Sequence, residues 1–174
     1  MGIQFETDYN METLTAMAKS LRKTVRKKRS RRVHIFAAVV LILGLLTILA
    51  TVAGGEPLGA SGVVTLLAML VVILVSLFED KLNAWFARKR LLPGTEHAVA
   101  TFEEDGYVSA TGVTESRFSY AQIVAVAETA RYFVFALSSH HTQAYDKRTI
   151  RGGSVEDFRA FIAEKTGKLV EDIK

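Results

Sequence analysis

The chain has 174 residues, a length for one domain or two small ones, with 49% apolar and 23% charged residues, no cysteine and a formal net charge of +4. A mean hydropathy of +0.22 is high for that much charge, and the two kinds of residue are segregated. No Asp, Glu, Lys or Arg occurs in the 23 residues between Arg32 and Glu56 or in the 22 between Glu56 and Glu79, which excludes an ordinary soluble globule, a disordered chain and a disulfide scaffold.

The opening residues alternate, Ile3 and Phe5 against Gln4 and Glu6, and predict a short strand. Asp8 or Asn10 is placed to cap the helix that follows. There Met11, Leu14, Met17, Ala18, Leu21 and Val25 recur at spacings of three and four and make one apolar stripe. The stripe packs on the cytosolic domain or, in the competing reading, lies flat on a membrane surface. Residues 1–32 thus read as a cytosolic strand and a basic amphipathic helix.

Residues 22–32 (RKTVRKKRSRR) contain Arg22, Lys23, Arg26, Lys27, Lys28, Arg29, Arg31 and Arg32. Residues 33–53 and 62–78 are long and apolar enough to predict two transmembrane helices, since a bilayer core of roughly 30 Å needs about 20 residues of helix. The Gly-rich stretch 54–61 reads as an external turn. The second helix is expected to continue to about residue 90, with Trp85 and Phe86 at the lipid interface and Arg88, Lys89 and Arg90 beyond them. With basic flanks on both spans and only Glu56 between them, the positive-inside rule puts both termini in the cytoplasm. The first span is too long and too far from the start for a cleaved signal peptide. A multi-pass protein of a bacterial inner (cytoplasmic) membrane is the expected location.

Charge divides by segment: residues 1–32 carry net +6, 79–90 net +2 and 91–174 net −3. The pI of about 9.4 therefore belongs to the membrane flanks. A nucleic-acid partner is not expected, because such a domain carries its own positive field. Attraction to membrane lipids accounts for the basic cluster.

From residue 91 the pattern changes to period two. Strands are predicted at His97–Phe102, Tyr107–Ala110, Arg117–Tyr120, Gln122–Glu128, Arg131–Ser138 and Thr142–Asp146, with Gly106 taking positive φ in the first hairpin turn. Ser154 and Asp157 have capping-box spacing, and Gly167 is a suitable stop, so a helix is expected over 154–166. The fold class that follows is an α+β membrane protein: a two-helix transmembrane hairpin with residues 91–174 as a bent antiparallel sheet, closed by a C-terminal helix.

The order of IQFETD, a basic helix, two spans, FSYAQI, RYFVFAL, AYDKRTI and SVEDFRAFI resembles the YcxB-like family of small bacterial membrane proteins. Asp146 stands where that family's pattern has proline, and Lys147 keeps its basic position. The resemblance implies a pleckstrin-homology-like (PH-like) cytosolic domain, and no established activity comes with it.

Catalytic and metal-binding patterns do not emerge. His34, His97, His140 and His141 are scattered, and the adjacent pair reads as a polar hairpin tip. Glu103-Glu104-Asp105 reads as a solvated turn. No phosphate loop or dinucleotide fingerprint occurs, so no cofactor is expected. Thr47, Thr51, Thr65 and Ser76 in the spans can bond back to their own helices, which gives no sign of a conducting path.

The expected function is a non-enzymatic, membrane-anchored interaction module that binds a protein partner, with toxin or bacteriocin immunity or envelope regulation as settings. The alternative is a lipid-sensing module that uses the basic turn of Lys147, Arg148 and Arg151. An enzyme is the distant third reading. A homo-oligomer is compatible with all three.

Overall fold

The alternation of IQFETD builds strand β1 (Ile3–Asp8) in the computed structural model, which describes residues 2–173. Asn10 caps helix α1 (Met11–Lys23): its Oδ1 accepts from the backbone N–H of Glu12 at 2.9 Å and of Thr13 at 3.1 Å. Helix α2 (Lys27–Ala53) begins inside the basic cluster and runs without a break into the apolar stretch. Helix α3 (Ala60–Leu77) follows the glycine-rich turn. Both are long and apolar enough to cross a membrane, and neither buries a residue within the chain.

Gly44 lets α2 and α3 approach closely, since a Cβ there would lie 2.8 Å from Met69 Sδ. The hydroxyls of Thr47, Thr51 and Thr65 each donate to the carbonyl four residues back. The second long helix does not continue to residue 90. It breaks at Phe78 (φ −104°, ψ 16°), and helix α4 (Glu79–Lys89) runs antiparallel along α1. Ser20 and Ala84 are small and fully buried, which suits close packing of this pair.

The remaining chain forms two four-stranded sheets, not one bent sheet. In the first, β1, β2 (His97–Phe102), β3 (Tyr107–Thr111) and β4 (Glu115–Phe118) lie in that order, all antiparallel. The second has the order β7 (Thr142–Asp146), β6 (Tyr132–Ala136), β5 (Ala125–Glu128), β8 (Val170–Asp172). Strand β8 pairs parallel with β5, so this sheet is mixed. Three residues carry too little pattern to announce such a strand.

The ladders are interrupted by 3-10 turns at Tyr120–Gln122 and Lys147–Thr149. The second turn joins the sheets at a corner. Thr149 Oγ1 donates to the Glu6 carbonyl (2.7 Å) and accepts from its N–H (3.0 Å), while the Asp146 N–H donates to Thr7 Oγ1 (3.1 Å).

Helix α5 (Val155–Thr166) closes the sheets with the expected ends: a reciprocal Ser154–Asp157 capping box and Gly167 at φ +62°. Gly106 is needed for a different reason than expected. Among the described residues only Gly55, Gly94, Gly152 and Gly167 have positive φ. At Gly106 a Cβ would lie 2.5 Å from the Phe118 carbonyl oxygen.

Phe158 and Ile162 of α5 meet Phe5, Phe102, Tyr107, Phe133, Phe135 and Tyr145 in one core. Alternate residues of β6, Tyr132 and Val134, pack on the opposite face with Ala127, Ala144, Ile173, and Ala16 and Met17 of α1. Strand β6 is thus covered on both sides, which is why all five of its residues are buried.

Candidate functional site

Register divides the inner face of the first sheet into rows. Phe102, Tyr107 and Phe118 are cross-strand partners and form an aromatic row, with stacked rings 4.9 and 5.1 Å apart. The next row inward-facing is Phe5, Ala100, Ser109 and Ser116. The one beyond it is Thr7, Ala98 and Thr111. Side-chain volume therefore falls along the sheet, and the small end stays open as a cleft of about 380 Å³. Tyr9, Leu14 and Met17 with Ala87 and Leu91 stand over it, and His140 to Gln143 form a wall.

The wall holds a polar group with bonding capacity to spare. Gln143 is 7% exposed, and its Oε1 accepts hydrogen bonds from the hydroxyls of Tyr107 and Tyr145, both at 2.7 Å. Its amide nitrogen has no hydrogen-bond partner among the described residues, and the residue lines the cleft. Burial raises the Tyr107 and Tyr145 phenols far above their ordinary range, so both remain donors to Gln143. Tyr9, above the cleft, is pushed up to about 12 by burial, against a hydrogen bond involving the Ala144 backbone. Strand β4 borders this cleft and, among the described residues, pairs on one side only, leaving its outer edge open.

Leu14 and Met17 belong to the apolar stripe of α1 and His140 and His141 to the polar hairpin tip, but the strand residues and Gln143 form no motif in the sequence. The available signal was the run of small residues at alternate positions, Ala98 and Ala100 in β2 and Ser109 and Thr111 in β3. Reading it requires the register.

The residues selected from sequence are placed as follows. Arg22 bonds Asp80 of α4 through Nε and Nη2, both at 2.7 Å, with Glu79 at 3.8 Å, and this hydrogen bonding raises its already high pKa. Lys23 ends α1, and Arg26 lies in the turn before α2, bonded to Ser139 and His140. Lys27, Lys28, Arg29, Arg31 and Arg32 are exposed on the first two turns of α2. Trp85 is half exposed on α4, with Lys89 Nζ 3.7 Å from its ring centre, a cation–π contact. Arg88 and Arg90 are exposed at the same end, the far end of α4 from α3.

Of Lys147, Arg148 and Arg151, the last two are open to solvent, with 65% and 68% of their side chains exposed. Lys147 is 14% exposed in its side chain and bonds Glu128 at 2.9 Å. Arg148 bonds Asp146, and Arg151 bonds Glu6. Glu128 also takes two bonds from Arg159, at 2.6 and 2.8 Å. Those bonds, then Lys147's, hold its carboxyl below the usual range despite burial. Burial pushes Asp146 upward, but hydrogen bonds from Arg148 and Arg131 outweigh it and keep that carboxyl low as well. Among the described residues, no three His, Cys, Asp or Glu side chains gather as metal ligands.

The family model described as YcxB-like protein matches residues 102–162, from the end of β2 to the buried Ile162 of α5. The match contains FSYAQI, RYFVFAL, AYDKRTI and SVEDFRAFI and bears out the resemblance over that span. Strand β1 and the two apolar helices lie outside it. No curated protein and no solved structure matches the chain.

Proposed function

We propose that the chain is a non-enzymatic, membrane-anchored module that captures an extended segment of a protein partner. In this reading α2 and α3 cross the bacterial inner membrane, both termini are cytoplasmic, and the sheets with α5 form a PH-like domain beneath the bilayer. The exposed apolar surfaces of α2 and α3 and the basic residues at the start of α2 support the placement.

The observation that carries the partner reading is Gln143, whose amide nitrogen has no partner among the described residues, in the wall of a small-residue cleft beside the open edge of β4. An extended peptide adds backbone hydrogen bonds along β4, places small side chains among Ser109, Thr111 and Ser116, and offers a carbonyl to Gln143. The alternative reading of Lys147, Arg148 and Arg151 as a lipid contact loses support at Lys147, whose side chain is 14% exposed and paired with Glu128.

The test is site-specific photocrosslinking of the full-length protein in its native membrane. Probes at Ser116 and Thr114 are expected to trap one protein species, whereas a probe at Glu164 on α5 does not. Ser109→Trp fills the cleft and removes the adduct while leaving the protein folded and membrane-bound. Equal adducts from all probe sites, or an adduct unaffected by Ser109→Trp, refute the reading.

A further inference from the structure

A second pocket, of about 310 Å³, lies between α1, α2, α4 and the tip of the β6–β7 hairpin. Arg22, Arg26, Arg29, Ser30, Val33 and His140 line it. His140 also borders the cleft described above, so the hairpin tip separates the two spaces.

The charge balance of this pocket is unusual for the molecule. Arg22 is already matched by Asp80, and Arg131, Arg148, Arg151 and Arg159 each meet a carboxylate. Arg26 meets a backbone carbonyl and a histidine ring instead. Its Nε donates to the Ser139 carbonyl at 2.6 Å, and its Nη2 lies 2.9 Å from His140 Nδ1. Among the described residues, no carboxylate lies within ion-pair distance of Arg26 or Arg29. Glu79 lines the pocket, but it faces Arg22 at 3.8 Å and His34 at 3.7 Å. Burial lowers the Arg26 pKa, and the charge of Arg29 lowers it further, against a weaker opposing effect of Glu79. The guanidinium is therefore fixed in place, partly desolvated and short of negative charge.

We propose that this pocket binds the phosphate of an anionic phospholipid, held by Arg26, Arg29 and Ser30. A guanidinium with free N–H groups matches phosphate oxygens in pairs, and the Ser30 hydroxyl, now 3.3 Å from His34 Nδ1, turns to add a donor. Val33, 54% exposed, marks the start of the apolar stretch of α2 and places acyl chains along that helix. This rests on the reading of α2 as a membrane span and concerns a site separate from the β4 cleft.

The experiment is native mass spectrometry of the full-length protein in non-ionic detergent, titrated with dioleoyl phosphatidylglycerol or dioleoyl phosphatidylcholine. The protein is expected to retain phosphatidylglycerol about tenfold better than phosphatidylcholine, a preference that R26Q and R29Q each reduce by about fivefold. R29Q changes an exposed residue, so its effect does not depend on misfolding. The double variant R88Q/K89Q removes two charges outside the pocket and is expected to leave the preference intact. Equal losses in that control reduce the effect to general charge and overturn the site. Release of the lipid by millimolar inorganic phosphate overturns the lipid as source and assigns the pocket to soluble phosphate. Alkaline carbonate extraction of the same variants separates the two readings: wild type that is washed off the membrane refutes the spans, and retention without lipid preference refutes the pocket alone.

Discussion

Two carboxylates account for much of the polar order in the second sheet. Glu128 on β5 gathers Lys147 from the turn after β7 and Arg159 from α5. Asp146 gathers Arg131 and Arg148, caps the 3-10 turn through the Arg148 N–H at 3.0 Å, and sits 5% exposed. Arg131 also bonds Glu12 and so ties α1 to the sheet. A proline at 146 would lack the N–H that donates to Thr7 and would hold no arginine, so Asp146 has a structural role that proline could not fill.

Both carboxyls have folded pKa values below their ordinary ones, 4.5 for Glu128 and 3.8 for Asp146. Their stabilisation is therefore complete above those values and is lost as pH falls through the depressed folded pKa values. The thermal midpoint is expected to drop as pH is lowered from about 6 to about 3. Glu128→Gln should lower the midpoint at neutral pH, at a cost of about 3 kcal/mol, and make the acid drop shallower. A variant as stable as the parent at pH 7, or with an unchanged acid limb, contradicts this role for Glu128.

At the scale of elements, the joints matter more than the strands and helices themselves. Gly152 has φ +84°, and a Cβ there would lie 2.6 Å from the Gly2 carbonyl oxygen. It sits beside the pair in which Gln4 and Arg151 exchange backbone hydrogen bonds, 2.9 Å each way. Gly152→Ala combines a disfavoured backbone conformation with a clash and is expected to cost about 2 kcal/mol or more. Urea unfolding should show a lower midpoint with an unchanged slope. An Ala variant as stable as the parent would mean that the corner between the sheets relaxes freely.

How much of each element was visible beforehand follows from its length and symmetry. Strands His97–Phe102 and Thr142–Asp146 agree with prediction to the residue, and in the first the reason is its alternation over six residues. The ends of α5 were also legible, since a capping box and an αL glycine act within a few residues. The break at Phe78 was not. Nothing in VSLFEDKLNAW interrupts helical propensity, and the turn is enforced by the packing of α4 along α1.

For the whole molecule, the question is how the apolar pair α2 and α3 connects mechanically to the sheets. The link is α1 with α4, buckled at one end by the bidentate Arg22–Asp80 pair. Their side chains are 26% and 18% exposed, so solvent screens the pair only in part. A double-mutant cycle of Arg22→Ala and Asp80→Ala should give a coupling of about 1 kcal/mol or more. Additive losses would show that the helices are held together by apolar packing alone.

Sequence by itself determined where apolar residues cluster, that two helices are long enough to cross a membrane, and most strand positions. These depend on composition and short periodicities, which local chain geometry reads out directly. The eight basic residues of 22–32 were equally plain, but their individual fates were not: Arg22 pairs with Asp80, 58 positions along the chain, and Arg26 meets His140, 114 positions along. The division into two sheets, the small-residue end of the first and the free amide of Gln143 likewise belong to tertiary structure alone. Each arises when distant strands align in one register, and a linear pattern carries no record of which side chains then share a face.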